Sequence, residues 1–369
     1  MKKVSVETEC SVVIGNEIWF FASEFNGLFS YDLINNQLDE HGKVPWEAFD
    51  GVNLFGSMQY VKDEIYLFPL LGTKIAIYNI TKHQFDGLEL DYELTYDEKG
   101  VMLATSVVDN YIYAFCLFKP TIICIETEYK RVSYLHNWYN EINEEPFDEK
   151  EIFFRKQLCL YNKKIWIPFC NINAILELDC ITQKIKVHNL GKKKQGYSGI
   201  CYIDGKFYCA PRVRGGELIS WDFKTNNCQV LSKEVGMSNK MYAAILAGDN
   251  EVMLYPATNM KCCLSGKKGT IIKGNYSYLY ENDYIVILQE KESKEFHIWN
   301  KENKKLTIYK IEIPIESTSF VQELKEKTVH ETSWKGISEL NKYIIENENV
   351  IDRTKASTIG EKIYLKIED

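Results

Sequence analysis

The side chains best suited to chemistry in this 369-residue chain are its arginines. Arg155 interrupts the run Phe153-Phe154-Arg155-Lys156, where apolar neighbours suggest a packed strand. A cation in that setting needs a partner or a ligand, because a buried unpaired charge is costly. Arg212 and Arg214 flank Val213, so on an extended segment both point one way. A guanidinium fork matches a carboxylate or a phosphate. Glu24, Asn259 and His136 add polar groups, while Trp46, Trp138 and Tyr139 offer flat rings for stacking. Each has a bland alternative: the tryptophans cap a core, and the loop arginines are solvated or paired with acids.

Other chemistry has little footing. The six histidines fall one per region with no two at ligand spacing, and there is no Cys-x-x-Cys, so no metal is expected. Neither a Gly-x-Ser-x-Gly turn nor a phosphate-cradling glycine loop occurs, so no catalytic residue is assigned and no cofactor is expected. Cys262 and Cys263 are adjacent and would face opposite ways on a strand. Most of the eleven cysteines, such as Cys116, Cys159, Cys201 and Cys209, lie in strand-like runs and read as buried, reduced thiols of a cytoplasmic protein. Val-Ser-Val-Glu after Met1-Lys2-Lys3 is no secretory core, and no run approaches the ~20 apolar residues that span a bilayer, so no membrane partner is expected. A net charge of −8 gives no reason to expect nucleic acid.

What would position these side chains is a repeat. An apolar pair follows a short polar turn seven times: Ile18-Trp19, Ile65-Tyr66, Ile112-Tyr113, Ile165-Trp166, Phe207-Tyr208, Val252-Met253 and Ile285-Val286, at gaps of 47, 47, 53, 42, 45 and 33. With 24 Tyr, 18 Phe and 7 Trp, the chain is rich in strand formers. A period of this size predicts an all-β fold, a single seven-bladed β-propeller of four-stranded antiparallel blades. A second mark lies 14 or 15 residues beyond most anchors: Asp32, Asn79, Glu126, Asp179, Asp222 and Asn300. These open the turn before each fourth strand. Blade six keeps the count but has Gly266 and Ile272 in place of the usual mark and apolar residue.

Ile65-Tyr66-Leu67-Phe68 with Tyr78-Asn79 and Phe85, and Phe207-Tyr208-Cys209 with Trp221-Asp222, resemble the Kelch repeat over about residues 10–313. The Kelch glycine pair is missing. Phe68-Pro69, Pro168-Phe169, Ala210-Pro211 and Tyr255-Pro256 stand in its place. Trp221-Asp222 also echoes WD repeats, whose Gly-His mark is absent. Kelch-like rings serve as scaffolds for protein or peptide partners. Some are cytosolic isomerases of acidic sugars, using Arg for the carboxylate and Glu or His for proton transfer. The resemblance therefore implies a non-catalytic binding scaffold. The alternative is an enzyme on a small acidic carbohydrate, with Arg155, Arg212, Glu24 and His136 as its set.

Residues 1–313 are assigned to the ring and 314–369 to a helical C-terminal appendage packed on it. Phe320-Val321-Leu324 and Ile337-Leu340-Ile344 have helical spacing, and Ile363–Ile367 fits strand or helix. The segment Lys2–Glu7 is expected to form the outer edge of blade seven and so close the ring. The face bearing the second-to-third-strand loops and the inter-blade segments is expected to do the work.

Overall fold

The computed structural model describes residues 3–90, 101–136, 138, 152–191, 195–213, 216–237, 242–248, 251–258, 261–265 and 269–326. All seven anchor pairs lie on second strands, from Glu17–Ala22 in blade one to Ile285–Glu290 in blade seven. The hairpins before the first five turn through residues of positive φ, including Gly15, Lys62, Asp109, Asn162 and Asp204. At the later turns the acid or amide accepts backbone N–H groups: Ile34 N to Asp32 Oδ1 at 2.7 Å, Lys82 N to Asn79 Oδ1 at 2.8 Å, Lys224 N to Asp222 Oδ1 at 2.9 Å. Four residues after each mark the chain again takes positive φ, at Asn36, His83, Lys130, Gln183, Asn226 and Lys304.

The core is seven apolar wedges, one between each pair of neighbouring blades. Strand alternation sends Ile65 and Leu67 into the wedge against blade one, and Tyr66 and Phe68 into the wedge against blade three. A blade buried on both faces therefore reads as an unbroken apolar run.

Blades one, two, three, four and seven are four-stranded antiparallel sheets in chain order. Blades five and six divide eight strands as five and three. Lys261–Ser265 leaves blade six and pairs with the long outer strand of blade five, Asn227–Met237. Thr270–Ile271 takes the vacated place beside Val252–Pro256, in parallel. The inner strand of blade four begins only at Cys159, so Arg155 lies on the extended segment ahead of it rather than at the start of the strand. There Gln157 reaches past blade five to blade six. Its amide donates to Ile245 C=O and accepts from Ile245 N–H, both at 2.9 Å. A Cβ on Gly199 would come within 2.5 Å of Gln157 Oε1, so this approach requires glycine.

Ring closure differs from expectation. Blade seven completes itself with Leu306–Tyr309, so its outer edge is not formed by the N-terminal segment. Lys3–Val4 instead pairs with Ile313–Pro314, beyond blade seven. The seam holds by packing, with Val4, Val6, Ile287, Ile298, Ile313 and Phe320 in one cluster, and by Gln289. Gln289 Oε1 accepts Thr8 N–H at 2.9 Å, and its Nε2 donates to Val6 C=O at 3.0 Å and Lys294 C=O at 3.1 Å. The helix Ser319–Glu326 docks beside blade one. Phe320 stacks on Phe25 with centroids 4.7 Å apart, Ser319 Oγ donates to Glu40 Oε1 at 2.5 Å, and Lys43 pairs with Glu323. The later segments 337–344 and 363–367 lie outside the described residues.

Candidate site at the channel mouth

First strands start at the loop-bearing face and descend along the central channel, so their leading residues ring its mouth. A chamber of about 230 Å³ opens there. Glu9, Arg155, Lys156, Ser198, Tyr242 and Tyr276 line it, and the second-to-third-strand loops add Leu70, Ala257 and Lys291. A second chamber of about 220 Å³ lies at the other end, with Ser57, Gln59, Thr105, Glu281 and Lys301 in its wall. Leu103, Lys156 and Tyr278 border both. Lys156 reaches across the ring to pair with the Glu9 carboxylate, and it also donates to Glu9 C=O at 2.7 Å.

Burial alone would raise the Glu9 carboxyl. Lys156, with Lys291 behind it, outweighs that and holds its pKa below the ordinary range. Glu7 goes the other way, raised by burial and then by the negative charge of Glu9. Burial lowers the Arg155 pKa, and the neighbouring Arg212 adds to this. Arg155 Nε is buried without a hydrogen-bond partner among the described residues. Arg212 Nη1 donates to Cys170 C=O at 2.8 Å.

Of the residues singled out from sequence, Arg155 lines this chamber and Arg212 lies near it without entering the wall. Glu24 instead pairs with Lys294 at 3.1 Å across the seam. His136 sits exposed at the end of the outer strand of blade three, hydrogen-bonded through Nδ1 to Thr121 Oγ1 at 3.1 Å and stacked on Tyr134. Trp138 is buried in the wedge between blades three and four against Phe154 and Phe169, with Nε1 donating to Leu135 C=O. Trp46 is half-buried, with the Lys74 ammonium 4.6 Å from its ring centroid. Tyr139, Arg214 and Asn259 lie outside the described residues. The sequence reading missed Glu9, Lys156 and Lys291. Lys156 carried a signal, since it breaks the apolar run one residue after Arg155.

No group of three or more His, Cys, Asp or Glu among the described residues is gathered to hold a metal ion, and no helix among them is long and apolar enough to cross a membrane. Cys116, Cys201 and Cys209 are buried, and burial raises each thiol pKa.

Solved structures share this architecture. Virginiamycin B lyase from Staphylococcus aureus is similar with a TM-score of 0.51 over 85% of this chain and 88% of its own, at 13% identity. The computationally designed Ika8 protein gives 0.50 over 83% and 89%, also at 13% identity. The chain is a seven-bladed β-propeller. At such identities the likeness shows the fold alone. No protein-family model matches the sequence, and no curated protein matches it.

Proposed function

We propose that this propeller is a non-catalytic, Kelch-like binding scaffold that takes a protein or peptide partner on its loop-rich face, in a cytoplasmic setting. The observation that carries this reading is the chamber at the channel mouth. It opens where the loops gather, with Arg155 unsatisfied at Nε in its wall. Leu71 and Val213 add exposed apolar contacts in the loops of the same face. The aromatic rim supports the reading less, because Trp138 and much of Trp46 are committed to packing. An enzyme acting on acidic sugars would need Glu24 and His136 beside Arg155. Glu24 is tied to Lys294 and His136 to Thr121, so that set does not converge.

The test compares faces. Leu71→Glu with Val213→Glu charges the loop face, and Ile34→Glu with Ile181→Glu charges the opposite one, where those two residues are exposed in turns. Quantitative co-purification from the native cell should lose specific partners only with the first pair. Partners kept by the first pair and lost by the second would refute the assignment.

A further inference from the structure

We propose that the mouth chamber is a carboxylate-binding subsite, with the carboxylate held between the Arg155 guanidinium and the Lys291 ammonium. This deepens the binding-scaffold reading and rests on it only for the source of the carboxylate.

Most cations at this face are already engaged. Lys294 pairs with Glu24, Arg212 bonds the Cys170 carbonyl, and Lys156 is held by Glu9. Two remain. Arg155 has a buried Nε with no partner, and Lys291 forms no ion pair among the described residues. Both line the one chamber. Arg155, Lys156 and Lys291 in the wall face the carboxylate of Glu9, with Glu7 behind it also within reach of Lys291, so the cations there still outnumber the acids in a chain whose net charge is −8.

The chamber's hydroxyls are committed inward. Tyr276 donates to Lys273 C=O at 2.9 Å, Tyr278 to Glu281 at 2.8 Å, Tyr242 to Glu234 at 2.7 Å and Ser198 to Pro211 C=O at 3.2 Å, and the Ser277 hydroxyl bonds the Glu9 carboxylate. The donors left for a ligand are therefore cationic, and the ligand must be an acceptor. A planar guanidinium beside one ammonium matches a planar, two-oxygen group better than a tetrahedral phosphate, whose three oxygens need donors on more sides. Leu70, Leu103, Ala243 and Ala257 supply apolar wall for a short aliphatic stem. The matching chemistry is a carboxylate on such a stem: an Asp or Glu side chain of a bound peptide, or a free small acid.

The experiment titrates the full-length chain with glutarate, following the Arg155 Nε–H resonance in 15N-arginine-labelled protein. Inorganic phosphate is titrated in parallel, along with a Glu-containing peptide and its Gln-substituted twin. Glutarate should shift that resonance and bind more tightly than phosphate. Arg155→Gln should weaken glutarate about tenfold or more, read by calorimetry. Lys291→Gln should weaken it severalfold and flatten its salt dependence. Lys291 sits on a surface loop, so this second variant keeps the test alive should Arg155→Gln fail to fold. Tighter binding of the Glu peptide than of glutarate assigns the site to a partner segment, and the reverse order to a free acid; both support the subsite. Absence of glutarate binding at high millimolar concentration, unchanged affinity in both variants, or preference for phosphate would overturn it. Failure here with loss of partners in the loop-face variants removes the subsite alone, whereas glutarate binding without any partner removes the scaffold reading alone.

Discussion

Gln289→Leu should destabilise the ring far more than an ordinary amide-to-alkyl change, because this side chain ties blade seven to the backbone leading into blade one. Gln289 is fully buried, as is Thr8, whose N–H it accepts; Val6, whose carbonyl it bonds, is nearly so. Leucine fills much of the same volume but leaves the Thr8 N–H and the Val6 C=O unpaired. Each orphaned buried group costs about 1–3 kcal/mol. The third contact, the Lys294 carbonyl, is only part-buried and regains water. The expected loss is therefore about 2–5 kcal/mol once leucine's own burial is allowed for. Gln59→Leu is the comparator. Gln59 donates to Thr105 C=O at 3.0 Å and to its hydroxyl at 2.9 Å, but it lines the lower chamber where water can replace it. About 0.5–1.5 kcal/mol is expected there. Urea unfolding reads both, and hydrogen exchange at the Thr8 amide reads the seam locally. A Gln289→Leu loss no larger than that of Gln59→Leu, with the Thr8 amide still protected, would refute the reasoning.

Phe320→Ala should undock the C-terminal helix by removing the stack on Phe25 and the contact with Phe49, at about 3–5 kcal/mol of local stability. Protease sensitivity should rise after Pro314 while the near-ultraviolet dichroism of the ring stays unchanged. Lys62→Gly and Lys304→Gly, at φ of 55° and 53°, should each stabilise the ring by roughly 0.5–1 kcal/mol, read as a higher urea midpoint, since a side chain there is strained. The depressed pKa of Glu9 contributes stability that is present above its unfolded value and lost as pH falls through the folded one, so Glu9→Gln should flatten the acid limb of the stability profile. The raised pKa of Glu7 has the opposite sign. Glu7→Gln should stabilise at neutral pH, a gain that disappears below the unfolded carboxyl value.

The blades were legible because each is buried on both faces, and that imposes unbroken apolar runs after polar hairpins at a regular interval. The Asp and Asn marks were legible for a local reason, since their side chains bond the backbone two or three residues on. The positive-φ positions that follow were hidden, because His83, Lys130, Gln183 and Lys304 occupy them where glycine would have announced them. Trp138 was open to two readings in sequence, because a ring capping a wedge and a ring offered to a partner both stand beside strand ends, and the structure places it in the wedge. Lys291 was invisible among ordinary loop charges, and only ring closure carries it to the same chamber as Glu9 and Arg155. The N-terminal segment was misplaced because its alternation fits any strand, and nothing in it names the two-residue partner at Ile313–Pro314.

The strand traded between blades five and six bears on how such a ring changes over generations. Copying or losing a blade is tolerated where each unit holds all its own strands, as blades one to four and seven do. A cut between five and six would leave Asn227–Met237 without its outer neighbour and Lys261–Ser265 without the strand it pairs with. A lineage that shortens or lengthens this ring must therefore inherit or discard those two blades as one module.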